Sequence, residues 1–179
     1  LKIFQVLVDA ESCNEAVDTL ARLVELEQDE RRKGSYLGAL ADLYREKIGD
    51  EERAIEYFNM ALDADPNQLK AFRALDEILT GRKDWAAQEK NYRKMLVRVQ
   101  DDPEQSALQY KLCFNLGEIF RTRLKEHDKA VAAFEAALDV QPDDVRALEI
   151  LSQLHEVEDE KDKAISCFRA LLRQQPGEL

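Results

Sequence analysis

The sequence is sparing with residues that interrupt helices, holding 6 Gly and 4 Pro in 179 residues. Long uninterrupted helices are therefore allowed. Aromatics are modest at 7%, while Ala and Leu are plentiful, which favours helix over strand. Cysteine is scarce: Cys13, Cys113 and Cys167 are widely spaced, odd in number and without a C-x-x-C pair. Secreted disulfide scaffolds look different, so these read as buried or inert thiols in a reducing compartment. His127 and His155 are the only histidines and lack the local spacing of a metal site, so no metal is expected.

Other absences narrow the function. No run of Lys and Arg stands out, and the net charge is −11. An acidic surface repels phosphate backbones, so no nucleic-acid partner is expected. No stretch approaches the length that spans a bilayer, so no membrane association is expected. Leu1 to Val8 is apolar but short and lacks a clear signal-peptide cleavage pattern. Together with the free cysteines, this places the expected location in the cytoplasm. The chain starts without Met, which reads as a piece of a longer or processed protein. There is no Gly-rich phosphate loop, no H-E-x-x-H and no elbow-like Ser. Ser12, Ser35, Ser106, Ser152 and Ser166 have no evident base. Neither an enzyme nor a cofactor is expected.

What is present is a repeat. Apolar residues at 45% and charged residues at 35% suit a folded chain. Pro66 and Pro142 are 76 residues apart, and a shift of 76 aligns much else. Leu40 falls on Leu116, Tyr44 on Phe120, Ala54 on Ala130, Phe58 on Phe134 and Ala61 on Ala137. Phe72 falls on Leu148, Leu75 on Leu151, Tyr92 on Phe168 and Leu96 on Leu172. Each block divides again: Ala54–Pro66, Ala130–Pro142 and Ala164–Pro176 all read A-x-x-x-F-x-x-A/L-L-x-x-x-P. Ala, Phe and Ala recur at steps of four and three, on one helical face. The small Ala lets a neighbouring helix approach, the Phe fills the gap beside it, and the Pro ends the helix. Upstream partner helices carry Leu40-Ala41-x-x-Tyr44 and Leu116-Gly117-x-x-Phe120, a large–small–large pattern. Loop signals at Gly49-Asp50, Gly81-Arg82-Lys83-Asp84 and Glu126-His127-Asp128 separate partner from block.

These motifs resemble the tetratricopeptide repeat, with its L-G-x-x-Y…A-x-x-x-F…P pattern, over essentially the whole chain. The second repeat departs most: Gln88 and Met95 replace small Ala, and Gln100 replaces Pro. The resemblance implies an all-α fold, a right-handed superhelical solenoid of antiparallel helix-turn-helix repeats. The expected layout is one repeat domain over 1–179, with a partial unit at 1–28 and repeats at about 29–66, 67–100, 101–142 and 143–176. Within it, helices are expected at about Asn14–Glu27, Asp29–Ile48, Glu51–Ala64, Asn67–Thr80, Asp84–Val99, Pro103–Lys125, Asp128–Val140, Asp143–Val157 and Lys161–Gln174, after a stub at Leu1–Val8. Asp102-Pro103 fits an N-cap followed by a first-turn Pro. The helices before Tyr44 and Phe120 look longer than the usual unit.

The family's arrays hold segments of partner proteins in a concave groove lined by the first helix of each pair. That resemblance implies a protein-protein interaction scaffold with a protein or peptide ligand. By its register the inward positions are Asp42, Arg45 and Glu46; Lys70, Arg73 and Glu77; Lys111, Phe114, Asn115, Glu118 and Arg121; and Arg146, Glu149, Gln153 and Glu156. The candidate groove residues are Arg45, Lys70, Arg73, Lys111, Phe114, Asn115, Arg121 and Arg146. One reading is a groove that selects a peptide of mixed or acidic charge. The other is a self-neutralising face with Asp42–Arg45, Arg73–Glu77 and Glu118–Arg121 paired along their helices. Arg73, Asn115 and Arg146 match a carboxylate clamp that some members use for chaperone tails, but Glu77 and Ile150 do not. Phe114 is either an aromatic anchor or tucked under a neighbouring helix, whereas Trp85 reads as core. Both ends expose apolar surface in this reading. Either the array continues past them, or copies form a homodimer through the terminal helices, which makes a structural, self-associating element the alternative function.

Overall fold

The computed structural model describes residues 13–174, and the expected stub at Leu1–Val8 and the closing Pro176 lie outside them. Among the described residues all regular structure is helical. In chain order these are α1 (Cys13–Leu26), α2 (Glu30–Leu43), α3 (Glu51–Ala64), α4 (Leu69–Arg82), α5 (Trp85–Val99), α6 (Ser106–Glu118), α7 (His127–Val140), α8 (Val145–Val157) and α9 (Lys161–Gln174). A 3₁₀ turn, Pro103–Gln105, leads into α6. The chain forms two compact units, divided between Asp84 and Trp85. In the first, α1 packs on α2, α2 on α3 and α3 on α4; in the second, α5 through α9 pack in the same consecutive way. Contacts between chain neighbours are what a helical repeat array requires.

Short aspartate side chains start several helices. Asp29, Asp50 and Asp144 accept from the backbone N–H of Arg32, Arg53 and Ala147 at 2.9, 3.0 and 2.8 Å. Asp102 accepts from Glu104 N–H at 3.0 Å, with Pro103 next in line as its sequence suggested. Each satisfies an amide donor that the helix leaves open.

Each hairpin's first helix ends on a left-handed residue: Gly49 (φ 78°), Lys83 (φ 56°), Lys125 (φ 59°) and Asp159 (φ 57°). In the two ordinary helices the closing bond spans five residues, Asp84 N–H to Leu79 C=O and Glu160 N–H to His155 C=O. In the two long ones it spans six, Asp50 N–H to Tyr44 C=O and Glu126 N–H to Phe120 C=O. The extra residue is wound as a π-helical turn, Tyr44–Ile48 after α2 and Ile119–Leu124 after α6. The expected lengthening is thus present, as an inserted residue that the helix absorbs without breaking. Gly81 and Arg82 belong to α4 instead of the expected loop.

The core follows the repeat. Ala54, Phe58 and Ala61 are sealed at 0, 1 and 0% exposure, and Ala130, Phe134 and Ala137 are all at 0%. On α5 the departures Gln88 and Met95 are nonetheless buried, and Trp85 is half-buried with the Arg123 guanidinium 4.6 Å from its ring centre. His155, at 2% exposure, places Nδ1 2.8 Å from Glu160 Oε2 and so ties the end of α8 to the start of α9. Cys113 is buried and Cys13 and Cys167 half-buried; burial pushes the Cys113 and Cys167 thiols up, away from the reactive thiolate. No helix of the described residues is long and apolar enough to cross a membrane.

Gly117 and Gly38 separate packing from propensity. A Cβ on Gly117 would meet the Phe134 ring at 2.8 Å, whereas one on Gly38 would meet nothing within 4 Å. Gly117→Ala is expected to lower stability by about 1 kcal/mol or more, because the sealed ring must shift. Gly38→Ala is expected to raise it by about 0.8 kcal/mol through helix propensity alone. Urea unfolding of the two variants beside the unaltered chain checks both signs.

Candidate functional site

The face carried by the first helices is arranged differently in the two units. In the first unit, Lys70 Nζ on α4 lies 2.9 Å from Asp42 Oδ2 on α2. Arg45 Nη2, in the π turn, lies 2.9 Å from Glu77 Oε2 on α4. The bond to Asp42 and its negative charge hold the Lys70 ammonium above its usual range. The expected pairs Asp42–Arg45 and Arg73–Glu77 are therefore replaced by pairs between helices. Both carboxylates reach the neighbouring helix, whose cations lie within hydrogen-bond distance. Arg73 is exposed and forms no ion pair among the described residues.

In the second unit, Glu118 and Arg121 pair as expected, with Arg121 Nη2 at 3.0 and 2.8 Å from the two Glu118 oxygens. The 76-residue shift explains the change of routing. Arg121 corresponds to Arg45, but Glu77 corresponds to the neutral Gln153. With no carboxylate opposite, Arg121 turns back to Glu118. Glu118 corresponds to Asp42, the residue that holds Lys70, and Lys70 corresponds to Arg146. Arg146 thereby loses the carboxylate its counterpart has, and it forms no ion pair among the described residues.

It lies instead over an aromatic ring. The Arg146 guanidinium carbon sits 5.2 Å from the centre of Phe114, which stands where the first unit has Gly38. Phe114 is half-buried, edge-on to Phe134 at 5.3 Å and tilted against Tyr110 at 6.0 Å. Of its two alternatives the packing is the one seen: the ring is tucked against α7, and Arg146 lies over its face. Tyr110 is buried, and its hydroxyl is pushed up by burial and then by the neighbouring Asp144. Lys111, three residues before Phe114, and Asn115, the residue after it, are exposed, and their side chains have no bonded partner among the described residues. The clamp-like residues divide, Arg73 on the first unit and Asn115 and Arg146 on the second. Ile150, on α8, is half-buried.

A depression of about 470 Å³ lies elsewhere, lined by Lys125, Glu126, His127, Asp128, Lys129 and Glu158. His127 Nδ1 is 3.3 Å from Glu158 Oε1 there. Its charges alternate, and no group of three metal-ligating side chains occurs among the described residues.

A family model described as the tetratricopeptide repeat matches residues 1–68 and 114–178. No curated protein matches the sequence. Among solved structures, the chain is similar to a crystal structure of MamA, with 18% identity, a TM-score of 0.54 and coverage of 98% of this chain and 96% of that one. It is also similar to the 41-end fragment of MamA from Desulfovibrio magneticus RS-1, at 17% identity, TM-score 0.51 and coverage of 99% and 94%. BtubC from P. vanneervenii aligns at 20% identity and TM-score 0.53, over 98% of this chain and 81% of that one. At such identities the likeness is one of fold.

The geometry separates what Phe114 and Arg146 contribute to stability. Phe114→Ala is expected to cost about 2 kcal/mol, since a half-buried ring loses its contacts with Phe134 and Tyr110. Arg146→Ala is expected to cost less than about 1 kcal/mol, the worth of an exposed cation–π contact. Urea unfolding measures both, and equal costs would show that the ring is not packed as described.

Proposed function

The chain belongs to the tetratricopeptide repeat family, and from that premise we propose that it is a scaffold holding a segment of another protein on the first-helix face of its second unit. Stacked hairpins bury their apolar faces against one another and leave the first-helix surfaces to partners. The observation that carries this reading is Arg146, poised on the Phe114 ring without a carboxylate. A guanidinium offers a planar fork of donors that matches a carboxylate, and here the ring limits its motion. Lys111 and Asn115 add a second cation and an amide on the helix that carries Phe114.

The ligand this favours is a protein segment with an acidic group, a side chain or a chain end, next to an apolar residue that packs at the edge of Phe114. Arg45, Lys70 and Arg121 already hold carboxylates, so their part is to shape the surface. Arg73, exposed and without an ion pair among the described residues, is a secondary contact. The reading is one of binding, with no catalytic step, cofactor, metal or nucleic acid in it.

Affinity capture from lysate, read by mass spectrometry, tests it with three baits of equal helicity: the unaltered chain, Lys111→Ala with Arg146→Ala, and Lys70→Ala. The expected result is a partner kept by the first and third and weakened about tenfold or more in the second. Equal retention by all three would remove the second unit's face as the binding surface.

A further inference from the structure

α5 concentrates positive charge where its counterparts in the repeat do not. The five helices align on Leu20, Phe58, Tyr92, Phe134 and Phe168. Lys90, Arg93 and Lys94 of α5 then stand where α1 has Asp18, Ala21 and Arg22 and α3 has Glu56, Asn59 and Met60. At the same positions α7 has Ala132, Glu135 and Ala136, and α9 has Ser166, Arg169 and Ala170. None of those four helices carries more than one cation there, whereas α5 carries three. Steps of three and four put the three on one helical face, and all are exposed. Lys90 and Lys94 lie one turn apart, where like charges repel and weaken the helix.

The π turn after α6 extends this face. It packs on α5, and cations are exchanged across the contact. Arg123 of the turn lies over Trp85 of α5, 4.6 Å from the ring centre, and Arg93 of α5 lies over Phe120 of the turn at 5.8 Å. Lys129 of α7 approaches the same Phe120 ring at 5.6 Å. Arg93 also pairs with Glu89 and Lys129 with Glu126, and Asp128 is the remaining acid of these segments. Lys90, Lys94, Arg123 and Lys125 form no ion pair among the described residues. Lys125 is left-handed, with φ 59°, at the position where the first unit has Gly49. Glycine adopts that conformation without steric cost, so a charged side chain stands where the backbone favours none.

We propose that this surface, Lys90, Arg93 and Lys94 on α5 with Arg123, Lys125 and Lys129 of the turn and the start of α7, docks a protein segment rich in Asp and Glu. Charge complementarity selects the segment. A guanidinium that rests on a ring has less freedom to lose on meeting a carboxylate. A nucleic-acid strand fits the surface less well, because its bases stack on open aromatic faces. Phe120 is 2% exposed, and Trp85 already has Arg123 over its ring. A long polyanion also meets the field of a chain with net charge −11. A short segment stays within a screening length of about 8 Å of the cations that hold it. The surface shares no residue with Lys111, Phe114 and Arg146, so it stands or falls apart from the binding reading above.

With 15 residues α5 is about 22 Å long, so an extended peptide of about ten residues reaches along it. Fluorescence anisotropy on the 179-residue chain compares a labelled peptide of Asp and Glu with the same peptide in Asn and Gln. The acidic peptide is expected to bind about tenfold tighter or more, and to weaken as salt is raised. Lys90→Glu with Lys94→Glu is expected to remove that preference. Lys125→Gly is expected to weaken the acidic peptide while keeping or raising stability in urea, which separates binding from folding. Lys111→Ala with Arg146→Ala is expected to change its affinity less than about twofold. Equal affinity for the two peptides, or an acidic peptide unmoved by Lys90→Glu with Lys94→Glu, would overturn the proposal. So would loss of the acidic peptide with Lys111→Ala and Arg146→Ala, which places it on the other face. A single-stranded oligonucleotide of equal charge that binds tighter than the acidic peptide would overturn it as well.

Discussion

The Phe134 ring lies so close to α6 that even one methyl group on Gly117 would strike it at 2.8 Å. That approach is the constraint on which the second unit depends. It brings α7 against α6, seals Ala130 and Ala137 at the same interface and gives Phe114 an edge to rest on. A helix hairpin alone cannot bury its apolar stripe, and small residues at the contact let the dispersion attraction of many atoms accumulate. The first unit has Ala41 in place of Gly117, at 0% exposure, and its Phe58 is at 1%. Surface charges can vary freely between the units because this packing does not involve them.

What varies is how cations and carboxylates are shared. Two differences act together, Gln153 where the first unit has Glu77 and Phe114 where it has Gly38. Arg121 retracts to Glu118, Glu118 is no longer available to Arg146, and Arg146 settles on Phe114. Each of these pairs is surface-exposed and contributes little to stability. Their effect is on what the surface offers, two pairs between helices in one unit and a guanidinium over a ring in the other. Repetition of the fold therefore supplies an internal comparison, and the difference between copies is where the binding reading rests.

Much of this was legible in the residues. Helices α3 and α9 fall on the spans expected from the Ala-Phe-Ala period, and Asp102-Pro103 starts the segment it should. Ends drifted by a residue or two where the stop is conformational. α4 passes through Gly81 and ends on left-handed Lys83, and a lysine carries no such signal in a sequence. The π turns were visible only as extra length, since one inserted residue leaves the surrounding period intact. The first unit's ion pairs were not legible at all. Neighbours three or four apart seemed natural mates, but Asp42 and Glu77 meet residues 28 and 32 positions away, a matter of helix packing. Phe114 could not be assigned from one helix, because its surroundings come from Phe134 and Arg146 on two others.

The most direct measurement of the central claim places a photo-crosslinking amino acid at position 115, exposed beside Phe114, and at position 39, its counterpart in the first unit. Irradiation in lysate followed by mass spectrometry reads which position touches a partner. The account predicts a defined adduct from position 115 that disappears with Arg146→Ala, and none from position 39. Adducts from position 39 alone, or from position 115 unaffected by Arg146→Ala, would contradict it.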